Sequence, residues 1–348
     1  MDAAIKIESD DDTLLSDDPD GHTEAAKSYL GCAVGARHRI VKHLGSGGMG
    51  HVFIAEHVTL GAQVAVKVLA TRFPSSITDR FIAEAKLLSM LNHPNIVKVF
   101  DIGEMDDETP FMLMELVPGI DLGAWLDRHQ SLSVKRVLRI LRQVACAIDH
   151  LHSQGIVHRD IKPPNIIVDP EANDAVKLLD FGIAIREGAA DAALDRGLLG
   201  TPAYMAPEQV AGSGCGKAAD LYALGALALE LLTGRPPYDY PSLNLVLAAV
   251  LHERPSLPSS RGIDIPGFDA VMERALARDP KERFASANDF VDALSDVLSA
   301  PWTNRGARVF AQPATSPQQP SLAEVRRPGP PVVRGAIALV GAAIAWLA

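Results

Sequence analysis

Two carboxylates, a lysine and an amide lie close together in the chain between residues 156 and 182. Asp160, Lys162 and Asn165 belong to the run Ile-Val-His-Arg-Asp-Ile-Lys-Pro-Pro-Asn, and Asp180 begins the run Asp-Phe-Gly. These residues fall on loops between strand-like segments, so their side chains can converge on one small volume. Carboxylates can accept a proton or bind a divalent cation. Taken singly, an aspartate in a turn is more often a turn-forming residue than a base.

The order and spacing of these residues resemble the catalytic loop and the metal-binding triplet of protein kinases. The resemblance implies that Asp160 takes the hydroxyl proton of the acceptor and that Lys162 adds positive charge where the γ-phosphoryl group moves. It also implies that Asn165 and Asp180 hold the Mg²⁺ ions that bridge the phosphates of ATP. Matched residues in this order favour catalysis over the turn-forming alternative.

The composition indicates a globular protein long enough for two lobes, with 348 residues of which 47% are hydrophobic and 22% charged. The formal net charge of −10 argues against general nucleic-acid binding, since that requires clustered Lys and Arg. Cys32, Cys146 and Cys215 lack any paired spacing. We therefore expect neither a disulfide framework nor a zinc site, and we infer a reducing compartment.

The first 37 residues are predicted to form a disordered acidic arm. Aspartate-rich runs lie at residues 10–12 and 17–20, and the segment has too little apolar surface to order itself. No apolar stretch begins the chain, which argues against a secretory signal peptide.

Three strand-like runs, separated by a glycine-rich loop and a turn, cover residues 40–69. A G-x-G-x-x-G run also occurs in dinucleotide-binding folds, but there the third glycine begins a helix, whereas here an alternating strand follows. The arrangement is similar to the phosphate-covering loop and third strand of kinases. Further strands are predicted at residues 96–102 and 111–115. The resemblance implies nucleotide contacts from Leu44, Gly45, Ser46, Gly47, Gly48, Met49, Gly50, Val52, Ala65 and Lys67.

Lys67 is expected to contact the α- and β-phosphates, and Glu84 is its predicted partner. A helix is predicted from about Ser76 to Leu91, and Glu84 lies on its apolar stripe. A buried carboxylate needs a partner, because an unpaired buried charge costs several kcal/mol. Alternatively, Glu84 lies at the edge of the stripe and faces water, but the flanking motifs favour an ion pair with Lys67.

The segment after residue 113 is expected to bind the adenosine part of the nucleotide. By resemblance to kinases, Met114 is the gatekeeper behind the adenine, and the backbone of Glu115 and Val117 bonds to the adenine edge. Asp121 matches the acid that contacts the ribose, and Ile167 is included in the nucleotide site. Met114 is equally compatible with ordinary core packing.

The larger lobe is predicted to be mainly helical. Apolar stripes predict helices at residues 133–152 and 221–232, and the second is buried on every side but too short to span a bilayer. The run Ala-Asp-Leu-Tyr-Ala-Leu-Gly resembles the buried helix behind kinase active sites. By that resemblance Asp220 braces the backbone of the catalytic loop and has a structural role.

The run Gly-Thr-Pro-Ala-Tyr-Met-Ala-Pro-Glu-Gln is similar to the end of the kinase activation segment. The resemblance implies that Thr201 bridges Asp160 and Lys162, and that Arg283 pairs with Glu208 to anchor the fold. Lys162 together with Gly-Thr-Pro-x-Tyr favours Ser or Thr over Tyr as the acceptor. The Ala-Pro-Glu-Gln ending resembles bacterial, eukaryotic-like Ser/Thr kinases.

The activation segment departs from the family pattern, because residues 183–200 contain no Ser, Thr or Tyr. The usual phosphorylation site is therefore missing, although its usual partner Arg159 is present. Asp191 or Asp195 could offer Arg159 a permanent negative charge. The alternative is a flexible acidic loop without such a contact.

The C-terminal region is read as a Pro/Gln/Ser-rich linker, residues 299–331, followed by an apolar segment, residues 332–348. The apolar run after Arg334 has about fourteen residues, fewer than the about seventeen of a usual span. It predicts a short membrane anchor or part of a longer one, with a soluble or partner-docking tail as the alternative. Arg326, Arg327 and Arg334 precede it and place the kinase on the cytoplasmic side.

The sequence thus predicts an α+β, two-lobed protein kinase fold over residues 38–298, with an N-lobe at 38–116 and a C-lobe at 117–298. The expected activity is Mg²⁺-dependent transfer of the ATP γ-phosphoryl group to Ser or Thr of protein substrates. A pseudokinase that serves as a nucleotide-binding scaffold is the alternative, and it is disfavoured because Lys67, Asp160 and Asp180 are all present. A small-molecule phosphotransferase is also disfavoured, because it would not need the peptide-docking platform that the run Gly-Thr-Pro-Ala-Tyr-Met-Ala-Pro-Glu would build.

Overall fold

The computed structural model of the protein describes residues 26–47, 50–69, 75–128, 132–180, 185–186 and 202–299. Within them the chain forms a sheet-rich N-lobe and a helical C-lobe, so the predicted α+β fold is confirmed. The acidic arm up to residue 25, the linker after Ser299 and the apolar C-terminal segment lie outside these residues.

The N-lobe is built on an antiparallel sheet with the strand order β1-β2-β3-β4-β6-β5. A three-stranded sheet, β10-β9-β7, and the pair β11-β8 lie on the C-lobe side of the chain. The strands are β1 Ala33–Val34, β2 His38–Gly47, β3 Gly50–His57, β4 Gln63–Leu69, β5 Val99–Glu104, β6 Pro110–Met114, β7 Ile120–Asp121, β8 Ile156–Val157, β9 Ile166–Asp169, β10 Ala175–Leu178 and β11 Ile185–Arg186.

Several boundaries differ from the sequence-based expectations, and for two of them the packing gives the cause. The strand expected from residue 96 begins at Val99, because Ile96 and Val97 pair with Leu178 of the C-lobe instead. The prediction that a disordered arm extends to residue 37 is wrong for residues 26–37.

Residues 26–37 are ordered because they cover one face of the N-lobe sheet. Ala26 and Tyr29, in and just after a helical turn at residues 26–28, are buried with Val34 in a cluster that includes Phe53. β1 then pairs with β2 through the register Ala33 with Arg39. The apolar residues of this stretch follow no regular period, so they gave no clear signal in the sequence.

The helices are α1 Ser75–Ser89, α2 Leu122–Arg128, α3 Val134–Ser153, α4 Pro207–Val210, α5 Lys217–Thr233, α6 Leu243–His252, α7 Phe268–Ala275 and α8 Ala287–Ser299. Ser133 caps α3 by accepting a hydrogen bond from the Arg136 amide, and the apolar stripe of α3 is buried, as predicted. α5 is buried along nearly its whole length, which also confirms the prediction. Among the helices of the described residues, none combines the length and apolar character needed to cross a membrane.

Asn95, in the loop after α1, connects the two lobes. Its side-chain amide donates to the carbonyl of Val176 at 2.9 Å and to the side chain of Gln143 at 3.1 Å. Its own carbonyl accepts the amide of Leu178 at 2.9 Å. These bonds hold the loop after α1 beside β10, which ends two residues before Asp180. They therefore help to set the position of the N-lobe relative to the catalytic loop.

Gly119, directly before β7, offers a test of this packing. It has a φ of +113°, and a Cβ atom there would lie 2.3 Å from the carbonyl oxygen of Val168 in β9. Gly119→Ala should therefore lower the free energy of unfolding by more than the about 1–2 kcal/mol of a left-handed conformation alone, as measured by urea denaturation. Gly155→Ala is the control, because Gly155 has a φ of +69° but open space around it. Equal losses in the two variants would contradict the packing argument.

Candidate active site

Asp220 of α5 supports the catalytic loop, residues 158–165. Its carboxylate accepts the amides of His158 at 2.8 Å and Arg159 at 2.7 Å, and it also accepts the ring Nε2 of His152 at 2.8 Å. Arg159 has a φ of +71°, a conformation that costs a non-glycine residue about 1–2 kcal/mol. The hydrogen bonds to the fully buried Asp220 offset that cost, and the predicted structural role of Asp220 is confirmed.

His158 connects the catalytic loop to the segment that ends in Asp180. Its Nε2 donates to the carbonyl of Leu179 at 3.0 Å, and its Nδ1 accepts the amide of Asp160 at 3.2 Å. Burial lowers the pKa of His158, although the carboxylates of Asp220 and Asp160 act in the opposite direction. The neutral ring matches both hydrogen bonds. The sequence-based interpretation included His158 in a motif but gave it no role.

Asp160, Lys162 and Asn165 converge as the sequence predicts. Lys162 Nζ lies 2.8 Å from Asp160 Oδ2, and Asn165 Nδ2 donates to the same oxygen at 2.7 Å. Asn165 also donates to the backbone carbonyl of Asp160 at 2.9 Å. Both side-chain contacts use Oδ2, so within the described residues Oδ1 of Asp160 accepts no hydrogen bond.

An ion pair joins the two lobes, and we call the space beside it the cleft. Nζ of Lys67, on β4, lies 2.7 Å from Oδ1 of Asp180, which follows β10 in the C-lobe. The Lys67 side chain is 13% exposed and that of Asp180 is 46% exposed. Burial by itself would lower the pKa of Lys67, but the charges of Asp180 and Glu84 outweigh burial and raise it. Burial likewise opposes the charged form of Asp180, but Lys67 holds the pKa of that carboxyl below its usual value.

The predicted ion pair between Lys67 and Glu84 stays a prediction. Glu84 is buried, as expected from its place on the apolar stripe of α1, and its charge acts on Lys67. The close contact that the structure shows for Lys67 is the one with Asp180, at 2.7 Å. The charges of Asp180, Glu84 and Asp160 all act on Lys67, and the sequence could not show that Asp180 makes the close contact.

The Lys67–Asp180 pair should make stability depend on pH. The pKa of Asp180 is lowered in the folded state, so its contribution to the free energy of unfolding is lost as pH falls. The pKa of Lys67 is raised in the folded state, so its contribution is lost at high pH. Lys67→Met should therefore destabilise the fold most between roughly pH 5 and 9, and progressively less as pH falls from about 4, the ordinary pKa of an aspartate, through the lowered pKa of Asp180. Urea unfolding of both proteins across this range measures the difference. A difference independent of pH would contradict the pairing.

The side-chain oxygen atoms of Asn165 and Asp180 suit the binding of a magnesium ion. Asn165 uses Nδ2 for its contacts to Asp160, so its amide oxygen has no protein partner among the described residues. Asp180 uses Oδ1 for Lys67 and retains Oδ2. Mg²⁺ prefers oxygen ligands and is usually held by one or two side chains together with water and substrate phosphates. The described residues contain no group of three or more His, Cys, Asp or Glu side chains that could hold a metal by themselves.

The hairpin of β2 and β3 carries the described part of the glycine-rich loop. Gly47 pairs with Gly50, and Val52 pairs with Lys67, so Val52 shares the sheet face from which Lys67 reaches Asp180. Gly48 and Met49 lie outside the described residues. Leu44 is exposed, whereas Gly45 is partly buried. The hydroxyl of Ser46 bonds to two histidines.

The strand β6 ends where the nucleotide's base is expected. Met114, 8% exposed, pairs with Ala65 of β4. The amide of Glu115 bonds to the carbonyl of Lys98 at 2.9 Å. Within the described residues, neither the carbonyl of Glu115 nor the amide of Val117 has a protein partner. The carbonyl of Glu115, a hydrogen-bond acceptor, and the amide of Val117, a donor, are therefore both available to a ligand.

Comparison with known families shows to which family the chain belongs. Residues 38–302, more than half of the chain, match the model of the protein kinase domain. The chain belongs to the protein kinase family. This confirms the resemblance that the catalytic loop, the glycine-rich loop and the end of the activation segment indicate.

Curated relatives are bacterial serine/threonine-protein kinases. Pkn1 of Myxococcus xanthus is 41% identical over 286 residues, which cover 79% of this chain and 40% of the relative. The kinase pkn3 of the same organism is 40% identical over 79% of this chain and 52% of its own length. PrkC of Bacillus subtilis is 37% identical over 78% of this chain and 42% of its own length. The chain thus spans about half the length of these curated relatives, or less.

Asp121 has a structural contact that the sequence did not predict. Its Oδ1 accepts the amide of Ala124 at 2.8 Å, which satisfies an amide in the first turn of α2. In the kinase domain it also pairs with Ile167 in the β7–β9 ladder. Capping uses one carboxylate oxygen, so a ribose contact through the other stays a prediction.

The end of the activation segment is anchored by the predicted pair of Glu208 and Arg283. The two terminal guanidinium nitrogens of Arg283 contact the carboxylate, at 2.6 and 2.8 Å, and the Arg283 side chain is fully buried. This prediction is confirmed. Thr201, with its predicted bridge to Asp160 and Lys162, and both candidate partners of Arg159, Asp191 and Asp195, lie outside the described residues.

Gln209 is a connecting residue that sequence reasoning missed. Its Oε1 accepts the amide of Ala206 at 3.0 Å, while its Nε2 donates to the carbonyl of Arg159 at 3.1 Å. It therefore links the end of the activation segment to the catalytic loop. A glutamine three residues after Ala206, at the start of a helix, is a capping pattern that could have indicated the first contact but not the second.

Proposed function

We propose that this kinase domain transfers the γ-phosphoryl group of ATP to Ser or Thr hydroxyls of protein substrates. The observation that carries this proposal is the convergence of Lys67 with Asp180 across the cleft, beside the cluster of Asp160, Lys162 and Asn165. The names of the relatives support Ser and Thr as acceptors.

Each side chain has a task that follows from its contacts. Lys162 and Asn165 both bind Oδ2 of Asp160, so they fix the carboxylate and leave Oδ1 to receive the proton of the acceptor hydroxyl. Lys67 supplies a positive charge to the α- and β-phosphates, and its bond to Asp180 sets its position before nucleotide binds. Catalysis of this kind depends mainly on positioning and on neutralising charge.

Asn165 and Asp180 supply the oxygen atoms that would hold Mg²⁺. When bound, the ion neutralises charge on the phosphates of ATP. The carbonyl of Glu115 and the amide of Val117 would receive the adenine edge, with Met114 behind it and with Ala65, Val52, Leu44 and Ile167 around the base. The amides of the glycine-rich loop would approach the phosphates, since glycine allows close backbone contact.

The proposed reaction can be tested with γ-labelled ATP and Mg²⁺, using a mixture of general protein acceptors and phosphoamino-acid analysis. We expect label on Ser and Thr, and none when a chelator removes the metal. A pseudokinase would bind nucleotide without transferring label, and label confined to Tyr would contradict the assigned acceptor.

We also propose that activity does not require phosphorylation of the activation segment. The support is the sequence of residues 183–200, which offers no hydroxyl side chain. Mass spectrometry of the active protein should find no phosphate on that segment. A phosphate there that is needed for activity would contradict the proposal.

Membrane attachment through residues 332–348 is a further proposal, supported by their apolar composition and by the preceding arginines. Membrane fractionation of the chain with and without the residues after Pro331 tests it. The proposal would be contradicted if the two forms of the chain were divided between the membrane and soluble fractions in the same proportion.

A further inference from the structure

A chain of three polar side chains lies on the glycine-rich hairpin. The Oγ of Ser46 lies 3.0 Å from Nε2 of His43 and 2.8 Å from Nδ1 of His51. Ser46 and His51 are direct cross-strand neighbours in the pairing of β2 with β3. The hydroxyl therefore connects an imidazole on its own strand to an imidazole on the facing strand.

This chain lies on the sheet face opposite the cleft. Val52 shares the cleft face with its partner Lys67, and successive side chains of a strand point to opposite faces. His51 is accordingly on the outer face, where Tyr29 packs with a ring-centroid distance of 6.2 Å. His51 is 3% exposed, so the inner end of the chain is buried, while His43 is half-buried.

The backbone pairing of the hairpin is irregular at this point. The register between β2 and β3 shifts between Ile40 and Lys42, and again between His43 and Gly45. A shifted register interrupts the ladder of backbone hydrogen bonds and leaves a strand less strongly held. The bond of His43 to Ser46 spans the second shift along β2, and the bond of Ser46 to His51 crosses to β3 directly beyond it.

Both hydrogen bonds of the Ser46 hydroxyl can form at once if the hydroxyl accepts from one imidazole and donates to the other. A hydroxyl has one hydrogen to donate and lone pairs to accept. One imidazole nitrogen must then carry a hydrogen and donate to Oγ, while the other accepts the Oγ hydrogen. Two neutral imidazoles with suitable tautomers satisfy this condition, so the chain needs no charge to form.

We propose that His43, Ser46 and His51 form a latch that holds the glycine-rich loop in register, and that the two histidines are positioning residues for nucleotide binding. This inference rests on the proposed function. The latch acts through the backbone of residues 45–47, whose amides are expected at the phosphates. Without it, the irregular pairing leaves this part of β2 freer, and binding the nucleotide must then also order the loop.

Two single variants test the latch, and two others serve as controls. Ser46→Ala removes the hydroxyl, and His43→Leu removes one imidazole. His43→Gln keeps a polar group near the position of Nε2 and should restore function. His38→Leu is the matched control, because His38 lies on the same strand but contacts His57 at the far end of the hairpin.

The measurements are the Kd for a non-hydrolysable ATP analogue with Mg²⁺ and amide hydrogen exchange of β2 and β3 without nucleotide. We expect Ser46→Ala and His43→Leu each to raise the Kd by about 3- to 10-fold and to speed exchange, since each breaks the same chain. The double variant should be no worse than either single variant, because the chain acts as a unit. The KM for ATP should rise with kcat nearly unchanged.

Three results would overturn the latch: an unchanged Kd with unchanged exchange, faster exchange without any change in Kd, or additive effects in the double variant. An equal effect of His38→Leu would also overturn it. If the unmodified protein bound no nucleotide, the proposed function would be refuted, while the exchange rates would still decide whether the three residues hold the hairpin.

Discussion

Replacing Asp160 with Asn should reduce the rate of phosphoryl transfer by about 10²- to 10⁴-fold, the usual contribution of a general base. An amide keeps the shape of the side chain but cannot take the acceptor's proton. The Kd for the ATP analogue should change little, because the close contacts of Asp160 are with Lys162 and Asn165, and its charge is only a minor influence on Lys67. Steady-state kinetics and equilibrium binding on the same preparation measure both effects.

Asp169→Asn is the matched control for this variant. Asp169 ends β9, near the catalytic loop in the chain, and its carboxylate accepts the amides of Glu171 and Ala172 in a turn that asparagine also favours. It should leave the rate of transfer unchanged. If Asp160→Asn retained the rate of the unmodified protein, Asp160 would not be the base.

Replacing Arg283 with Ala should destabilise the C-lobe by about 3–5 kcal/mol, because it leaves the carboxylate of Glu208 largely buried without its partner. The guanidinium group also donates to the carbonyls of Ala218 at 2.7 Å and Ala277 at 2.8 Å, which would lose those bonds. Urea denaturation measures the loss. The activity per folded molecule should decline less than the stability, since Arg283 contacts no residue of the catalytic loop among the described residues.

Arg142→Ala provides the comparison for Arg283. Arg142 pairs with Asp292 at the same distance, 2.6 Å, but both side chains are exposed. Exposed pairs contribute about 0–1 kcal/mol, so Arg142→Ala should have a small effect. Similar losses in the two variants would show that burial does not determine the contribution of the Arg283 pair.

The parts of the site that could be predicted are those set by short sequence distance or by a family motif. Asp160, Lys162 and Asn165 lie within six residues on one loop, so their convergence follows from local geometry. The contact of Asp220 with that loop joins residues about sixty positions apart in the chain. Only the resemblance of its helix to that of kinases could indicate it, and the structure bears it out.

The parts that could not be predicted depend on register and on competition between neighbours. The charge of Lys67 interacts with the carboxylates of Asp180, Glu84 and Asp160. Which of them Lys67 contacts depends on how distant parts of the chain pack, and no local pattern encodes that. The contact of His43 with Ser46 and His51 depends on shifts in the pairing of β2 with β3. A sequence shows the histidines but not the shifts.

The central claim is that Lys67 from the sheet-rich lobe and Asp180 with Asn165 from the helical lobe hold one magnesium nucleotide between them. A crystal structure with Mg²⁺ and a non-hydrolysable ATP analogue tests it most directly. We predict that Lys67 Nζ contacts the α- and β-phosphates, that Asn165 and Asp180 bind the metal, and that the adenine edge meets the backbone of Glu115 and Val117. A nucleotide bound elsewhere, or bound in the cleft without contact to Lys67 and Asp180, would contradict the claim.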